Sequence, residues 1–531
     1  MALKKKIMIK HLKTVRWLFA LLIILFSSSL AYAGLLKTLP DNFTVQTGGE
    51  ARFLLFLPEG STFFAGDIQV EGLPPDFSYQ ISCTGGKGEK CNTPAGSDDL
   101  PLYILKIAIP PHAEAKPYSV AVSWHHAGTL STSKAILDVR DKIDFIHPGV
   151  MLNTEMLARI KSQVLAGNPT LNSALTLAAQ SQYGSKSYQP SPHRSVAADG
   201  SEATDLRNDA IAAYTQALLW SLTQDKAYAE NAIRIMNAWS ETFSAEFTGN
   251  NRFNLAAWTG DLWPRAAEII RYTCKNNNGT SCWADEEIER FREMLDNYYA
   301  RFIQQGFYSS GQYGGNLIAS QAAALINIGV FNDDSALFLA GIEKWRRMLP
   351  AYIYMKQDGN IPAPPAFWRN SYINRPHLTG PAGYWYGQDL GTEETGPGGI
   401  SQETCRDLGH VLWGFSALAN GSETARIQGV DLHAESTLGT PNVARLAAGM
   451  EFNLVLLNRA GNAPALEVPE ALCGGSIKTG QSTGKGEILF NDLTRRRGMT
   501  LAESSRYLAT QRPTLASYFM VWETLTHFNN P

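Results

Sequence analysis

The chain lacks the motifs that would name its chemistry at once. Its 531 residues include only 6 cysteines. None form a C-x-x-C pair and no H-E-x-x-H occurs, so no zinc or dithiol centre is written in the spacing. No cofactor-binding motif appears, and no cofactor is expected. Charge is sparse at 18%, with aromatics at 10%, which excludes a charge-driven disordered chain and suits a globular one with an aromatic-lined surface. Long apolar runs are missing too. The longest near the start, WLFALLIILF, spans about ten residues and is too short to cross a bilayer.

What is present begins with that run. Lys4, Lys5, Lys6, Lys10, Lys13 and Arg16 precede it, and Ser27 to Ser29 and Ala31-Tyr32-Ala33 follow. A basic segment, a short apolar segment and an A-x-A site predict a secretory signal peptide over residues 1–33. The expected location is periplasmic or secreted, with no stable membrane insertion after cleavage. Removing that segment takes away six positive charges and no acid, so the formal charge moves from −3 to −9. Such an acidic protein is not a general nucleic-acid binder, and an anionic substrate would need basic groups concentrated in a cleft. The cysteines fit an oxidising compartment. Cys83 with Cys91 and Cys274 with Cys282 bracket short polar loops, and Cys405 with Cys473 would tie a distant loop to a helix.

Residues 34–145 predict strands: ARFLLFLP, DIQVEGL, FSYQISC, LYILKIAIP, YSVAVSW and KAILDV are short and punctuated by Gly, Pro and Asp. Their number and spacing suggest a small immunoglobulin-like sandwich. His125-His126 reads as a strand-end pair rather than a metal site. From residue 146 to 531 apolar residues recur at helical spacing. Asn153 or Thr154 caps a first helix through Leu165. Helical pairs follow over Asp205–Leu222 and Lys226–Phe243, Leu255–Cys274 and Ala284–Gln305, and Asn316–Val330 and Ser335–Leu349. Gln402–Leu418, a segment from Ser422 and Pro441–Leu457 continue the series. Repeated helical hairpins without a tight sequence repeat predict a mainly α fold, an α/α toroid preceded by the small β domain.

Two stretches stand out within it. A long irregular insertion, Asp358 to Ser401, holds Phe367, Trp368, Tyr372, Tyr384, Trp385 and Tyr386 with Arg369, Arg375 and His377. Aromatic faces with guanidinium groups suit a lid over an acidic sugar; the alternative is a loop packed down by its aromatics. The second stretch is Glu403 to Asp431. Arg406 and His410 are four apart, which on a helix places them on one face. Val411, Leu412, Phe415, Leu418 and Ala419 make the adjoining apolar stripe, as in the wall of a cleft. Arg406 could instead pair with Asp407 or Glu403, and Asn316 could be a helix cap after Gly315.

Several segments together resemble the alginate-lyase superfamily of polysaccharide lyases. FIHPGVMLN is similar to the lead into that superfamily's first helix. DAIAAYTQALLWSLTQDKAYAENAIRIMNAWS and NLAAWTGDLWPRAAEIIRYT resemble its next hairpins, and YGGNLIASQAAALINIGVFNDD resembles its glycine-asparagine segment. RDLGHVLWGFSALA, QGVDL and WETLTH follow in order. The resemblance covers roughly residues 146–531 apart from the insertion. It implies an α/α toroid, cleavage of alginate or a related uronate polysaccharide by β-elimination, and no obligatory metal.

Such a lyase must neutralise the uronate carboxylate, remove the proton at C5 and protonate the leaving oxygen. By resemblance Asn316 is a neutraliser, Arg406 a carboxylate partner, and His410 a neutraliser or the base. Trp258, Trp413, Trp385, Tyr386, Arg369 and Arg375 are the candidate sugar contacts. The chain departs from the family where a tyrosine is expected. One branch places it seven residues after the arginine, where this chain has Trp413. Another has Asn-His-Tyr where this chain reads Asn491-Asp492-Leu493, and a third follows the asparagine with histidine, here Leu317. Tyr313, Tyr384 and Tyr386 are the replacements that sequence proximity offers. Two rival readings remain open. One is a binding protein of this fold that holds polysaccharide without cutting it. The other is an inverting glycoside hydrolase using two of Glu393, Glu394 and Glu403.

Overall fold

The computed structural model describes residues 37–39, 42–56, 68–83, 103–126, 129–304, 315–359, 385, 390 and 398–530. The chain divides into two compact units, Met1–Asp141 and Lys142–Pro531.

The first unit contains β1 (Lys37–Leu39), β2 (Asn42–Gln46), β3 (Glu50–Phe56), β4 (Ile68–Glu71), β5 (Ser78–Cys83), β6 (Tyr103–Ala108), β7 (Pro117–His126) and β8 (Thr129–Arg140). They form two four-stranded sheets, ordered β1-β3-β6-β5 and β2-β8-β7-β4. The β2–β8 pair is parallel. Alternate residues are buried: Ala51, Phe53 and Leu55 in β3, Val120, Val122 and Trp124 in β7, Ala135, Leu137 and Val139 in β8. That period of two is what a sheet with one apolar face requires. Two sheets, each with one buried face, are what the strand-rich sequence produced; the finer immunoglobulin-like class remains an expectation.

The second unit is helical. In order it holds α1 (Thr154–Leu165), α2 (Pro169–Gln180), α3 (Glu202–Thr223), α4 (Lys226–Thr242), α5 (Arg252–Thr273), α6 (Asp285–Met294), α7 (Gly315–Phe331), α8 (Ser335–Tyr352), α9 (Leu408–Ile427), α10 (Asn442–Ala460), α11 (Glu487–Asn491), α12 (Ala502–Gln511) and α13 (Glu523–His527). The predicted hairpins are present, with turns where the polar residues stood. Gln224 takes a left-handed backbone and Asp225 caps α4, accepting from the Ala227 N–H at 3.0 Å. Asp334 caps α8 after the Phe331-Asn332-Asp333 turn. Asn153 caps α1 as expected. No helix among the described residues is long and apolar enough to cross a membrane.

Burial sorts these helices. α3, α5, α7 and α9 are buried around almost their whole circumference, whereas α4 and α6 bury one stripe. A helix apolar all round must sit inside others. The inner helices pack α3 on α5, α5 on α7 and α7 on α9, then α9 on α11 and α11 on α13, with α13 against α1 and α2. Trp522, which precedes α13, donates from Nε1 to Thr215 Oγ1 of α3 at 2.8 Å and ties the last helix to the first inner one.

One predicted boundary was wrong, and it matters to the site. The periodicity suggested a helix from Gln402 to Leu418 and another from Ser422. Instead α9 is continuous from Leu408 to Ile427. Asp407 starts it: its backbone is extended and its side chain accepts from the His410 N–H at 2.9 Å. Upstream, Ser401 N–H donates to Thr404 Oγ1 and Glu403 N–H to Ser401 Oγ, folding residues 401–406 into a turn. Asn420 and Gly421 do not break the helix. Asn420 is buried and donates to Asp261 at 2.8 Å, and Gly421 lies against Ala323, Ile326 and Trp345.

Candidate functional site

A buried polar layer shows how the inner helices are oriented. Asp261 of α5 pairs with Arg265, accepts from Asn327 of α7 and accepts from Asn420 of α9. Thr424 of α9 donates to Asn327 Oδ1 at 2.6 Å. The Arg265 guanidinium lies 5.7 Å from the Tyr214 ring of α3. Residues at similar depth from their helix starts therefore meet, so α3, α5, α7 and α9 run parallel. Their N-termini converge at one end. There Arg207 of α3 lies over Tyr518, Tyr518 touches Trp258 of α5 and Trp413 of α9, and Asn316 of α7 bonds Glu403 just before α9. Four helix N-termini bring partial positive charge to this mouth, which favours an anion.

The candidate residues from the sequence gather there. Asn316 Nδ2 donates to Glu403 Oε1 at 2.8 Å, and Arg406 pairs with the other Glu403 oxygen at 3.4 Å. Glu403 is 1% exposed and Asn316 0%. Burial pushes the Glu403 carboxyl up, while Arg406 and His410 pull it down. His410 Nδ1 lies 2.6 Å from Asp407 Oδ2. Burial alone would raise Asp407, but the His410 ring and N–H bonds hold it below the usual carboxylate range. Arg406 and His410 side chains keep about a third of their surface exposed, at 32% and 33%. Both face solvent at the mouth, while Asn316 and Glu403 lie beneath them.

The structure changes three details of the sequence reading. Arg406 and His410 are neighbours because a capped helix start follows a tight turn, not because they share a helix face: Arg406 lies outside α9. Asn316 is no cap, since it sits inside α7, where its Nδ2 donates to Glu403. Trp385 is fully buried, 6.4 Å from the Tyr354 ring. Its burial places it in the core of the helical unit rather than at an open surface. Tyr313, Tyr384, Tyr386, Arg369 and Arg375, with Glu393 and Glu394, lie outside the described residues. Of the expected disulfides, Cys274–Cys282 and Cys405–Cys473 are present; Cys83–Cys91 also falls outside the described residues.

Trp258 and Trp413 meet edge to face at 5.3 Å, and Trp413 lies 5.8 Å from the His410 ring. The place where one family branch has Asn-His-Tyr is occupied here by an ion network. Asp492 pairs with His433, Arg496 and Arg497 and is held well below its usual range against the effect of burial. Sequence reasoning missed Arg207 and Tyr518. Both come from segments distant from Arg406 in the chain, and only the closed ring brings them to it. Asp407 was noted only as a possible ion-pair partner; its S/T/D/N type just before an apolar helix was the signal for its capping role.

A ring of parallel inner helices thus carries an arginine, a carboxylate-held histidine and aromatic rings at its N-terminal mouth. The family model described as alginate lyase matches residues 168–364, from the start of α2 past the end of α8. The resemblance to the alginate-lyase superfamily is shown over that span, which includes Asn316 and ends before Arg406 and His410. Two solved structures are similar at low identity, both titled as alginate lyase A1-III complexed with tetrasaccharide. One carries a histidine-to-alanine change, with 15% identity, 65% of this chain and 86% of that chain covered, and a TM-score of 0.44. The other carries a tyrosine-to-phenylalanine change, with 14% identity, 65% and 87% covered, and a TM-score of 0.44. No curated protein matches the chain.

Proposed function

We propose that this protein is a polysaccharide lyase that cleaves alginate or a related uronate-containing polysaccharide by β-elimination, in the periplasm or outside the cell. The observation that carries the reading is the pairing of an accessible Arg406 with an accessible, Asp407-held His410 at the mouth where four helix N-termini converge. In this reading Arg406 binds the uronate carboxylate, which makes the C5 proton more acidic. In the same reading His410 Nδ1–H donates to the Asp407 carboxylate, and Nε2 accepts the C5 proton. The electron pair forms the C4–C5 double bond as the C4–oxygen bond breaks. Asn316 acts through Glu403, fixing the carboxylate against which Arg406 is aimed. Trp258 and Trp413 offer ring faces and edges to the sugar. The family match supports the class, and the signal-like first segment supports the location.

The test is ultraviolet absorbance, which rises when a C4–C5 double bond conjugated with the uronate carboxylate forms. Alginate, polymannuronate, polyguluronate and glucuronan are incubated with the mature protein and with His410→Ala. The lyase reading expects a rise with at least one polymer and its loss in the variant. Trp413, standing where a tyrosine is expected, favours one second reading, a protein that binds such a polymer without cutting it. That reading expects affinity with no rise. The hydrolase reading loses support because Glu403 is buried and already engaged by Asn316 and Arg406.

A further inference from the structure

We propose that Tyr518 is the residue whose hydroxyl protonates the departing glycosidic oxygen. The proposal rests on the lyase reading above and supplies the proton donor that Trp413 cannot be, an indole N–H being far too weak an acid.

Ala516–Ser517 and Met520–Val521 pair as a short antiparallel hairpin, with Ser517 opposite Met520. Tyr518 and Phe519 are its two-residue turn. Tyr518 has φ +53°, a conformation that such turns usually give to Asn, Asp or Gly. A bulky residue held there is a strained one, and strain of this kind persists where the surroundings impose it, often at a functional site. Phe519 anchors the turn: it is buried, with its ring 6.0 Å from Trp413. Tyr518 is left half-buried at the mouth.

The ring is then fixed from three sides. It lies 4.6 Å from Trp413, 5.0 Å from Trp258 and 4.5 Å beneath the Arg207 guanidinium. These contacts engage the ring, and no hydrogen bond among the described residues holds the hydroxyl. Trp413 is the shared neighbour of Tyr518 and His410, so a sugar on this surface meets a base and a phenol at separate points. Three other tyrosines among the described residues are committed elsewhere. Tyr188 donates to Asp209 at 2.6 Å, Tyr352 to the Val411 carbonyl at 3.0 Å, and Tyr299 is buried against Trp263. The proton balance closes: His410 takes the C5 proton, the C4–oxygen bond breaks as the double bond forms, and the oxygen takes the Tyr518 proton. Water then returns a proton to the phenolate, and His410 releases its own to solvent.

The test compares wild type with Tyr518→Phe on the polyuronate that wild type cuts best. Phenylalanine keeps the ring and its contacts and removes only the hydroxyl. The expected result is a fall in kcat of roughly 100-fold or more, with KM and polymer affinity within about threefold. A synthetic 4-O-aryl uronate, whose leaving group departs as a stable phenolate, needs no acid; on it the variant should match wild type. A kcat on polymer within about threefold of wild type overturns the proposal and leaves the lyase reading standing. An equal loss on both substrates also overturns it, because the residue would then only position the sugar. A wild type that releases no unsaturated ends from any polyuronate overturns the lyase reading and this role with it.

Discussion

Asp407 carries two tasks on two oxygens. One oxygen accepts the His410 N–H and starts α9; the other holds the His410 ring. The tasks can be separated, because asparagine caps a helix as well as aspartate but carries no charge. Asp407→Asn should therefore leave thermal stability within about 0.5 kcal/mol of wild type. It should lower turnover on a uronate polymer by roughly tenfold or more, since the imidazolium formed on proton removal loses its counter-charge. Thermal melts beside initial rates measure both; a large loss of stability with rates intact would show that the charge serves only the cap. His410 was legible in the sequence as a site candidate, whereas Asp407 stood there only as a possible partner of Arg406. The face shared by Arg406 and His410 was not legible, since it assumed a helix that Asp407 itself delays.

The element that aims Arg406 is the turn at 401–407, and it is held from outside the helix. Cys405 bonds Cys473 across 68 residues of chain. The loop that follows Cys473 then runs over the helix start: a side chain on Gly480 would strike Asp407, and one on Gly409 would strike the Gln481 backbone. Gly480 also has a positive φ of +62°, so glycine answers two demands there. Closing a loop of this length restrains the unfolded chain by roughly 4 kcal/mol in the chain-entropy model. A Cys405→Ala/Cys473→Ala variant should thus melt markedly lower and lose activity before it unfolds, as the turn loosens. Denaturant midpoints and rates at a temperature where the variant is still folded would show both. Activity unchanged under those conditions would remove the bond from the site's support. Spacing made this pair the least obvious of the three in the sequence, because a separation of 68 residues carries no local signature.

At the scale of the helical unit, the parallel inner helices direct both the polar layer and the mouth. The far side has its own tie. His147 Nδ1 bonds both Glu268 oxygens at 3.0 Å, Nε2 meets Asp333 at 3.1 Å, and the ring stacks on Tyr272 at 4.5 Å. Burial alone would lower the imidazole, but Asp333 and Glu268 raise it to about 9. Burial pushes the Glu268 carboxyl up; with His147 and the Gly149 N–H both bonded to it and Asp333 held low on the other side, the imidazole is the group that carries the proton. A folded-state value above the unfolded one means that this tie stabilises most below about pH 6.5 and fades as pH rises through about 9. The melting gap between wild type and His147→Gln should be widest near pH 6 and close by about pH 9.5. A gap independent of pH would mean that the contact is packing alone. Because His147 lies far along the chain from Glu268 and Asp333, nothing in the sequence flagged it beyond its place in FIHPGVMLN.

The sequence by itself determined the division into strand-rich and helical parts, the helical hairpins with their polar turns, and the candidates Arg406, His410 and Asn316. These are local matters: periodicity, caps and turn residues act within a few positions, and a family resemblance reads the same scale. The tertiary structure alone decided that Asn316 and Glu403 lie beneath Arg406, that Trp385 packs inside, and that Arg207 and Tyr518 reach the mouth. Those facts depend on closing a ring of helices, in which residues hundreds of positions apart become neighbours and burial decides whether a side chain meets solvent or core.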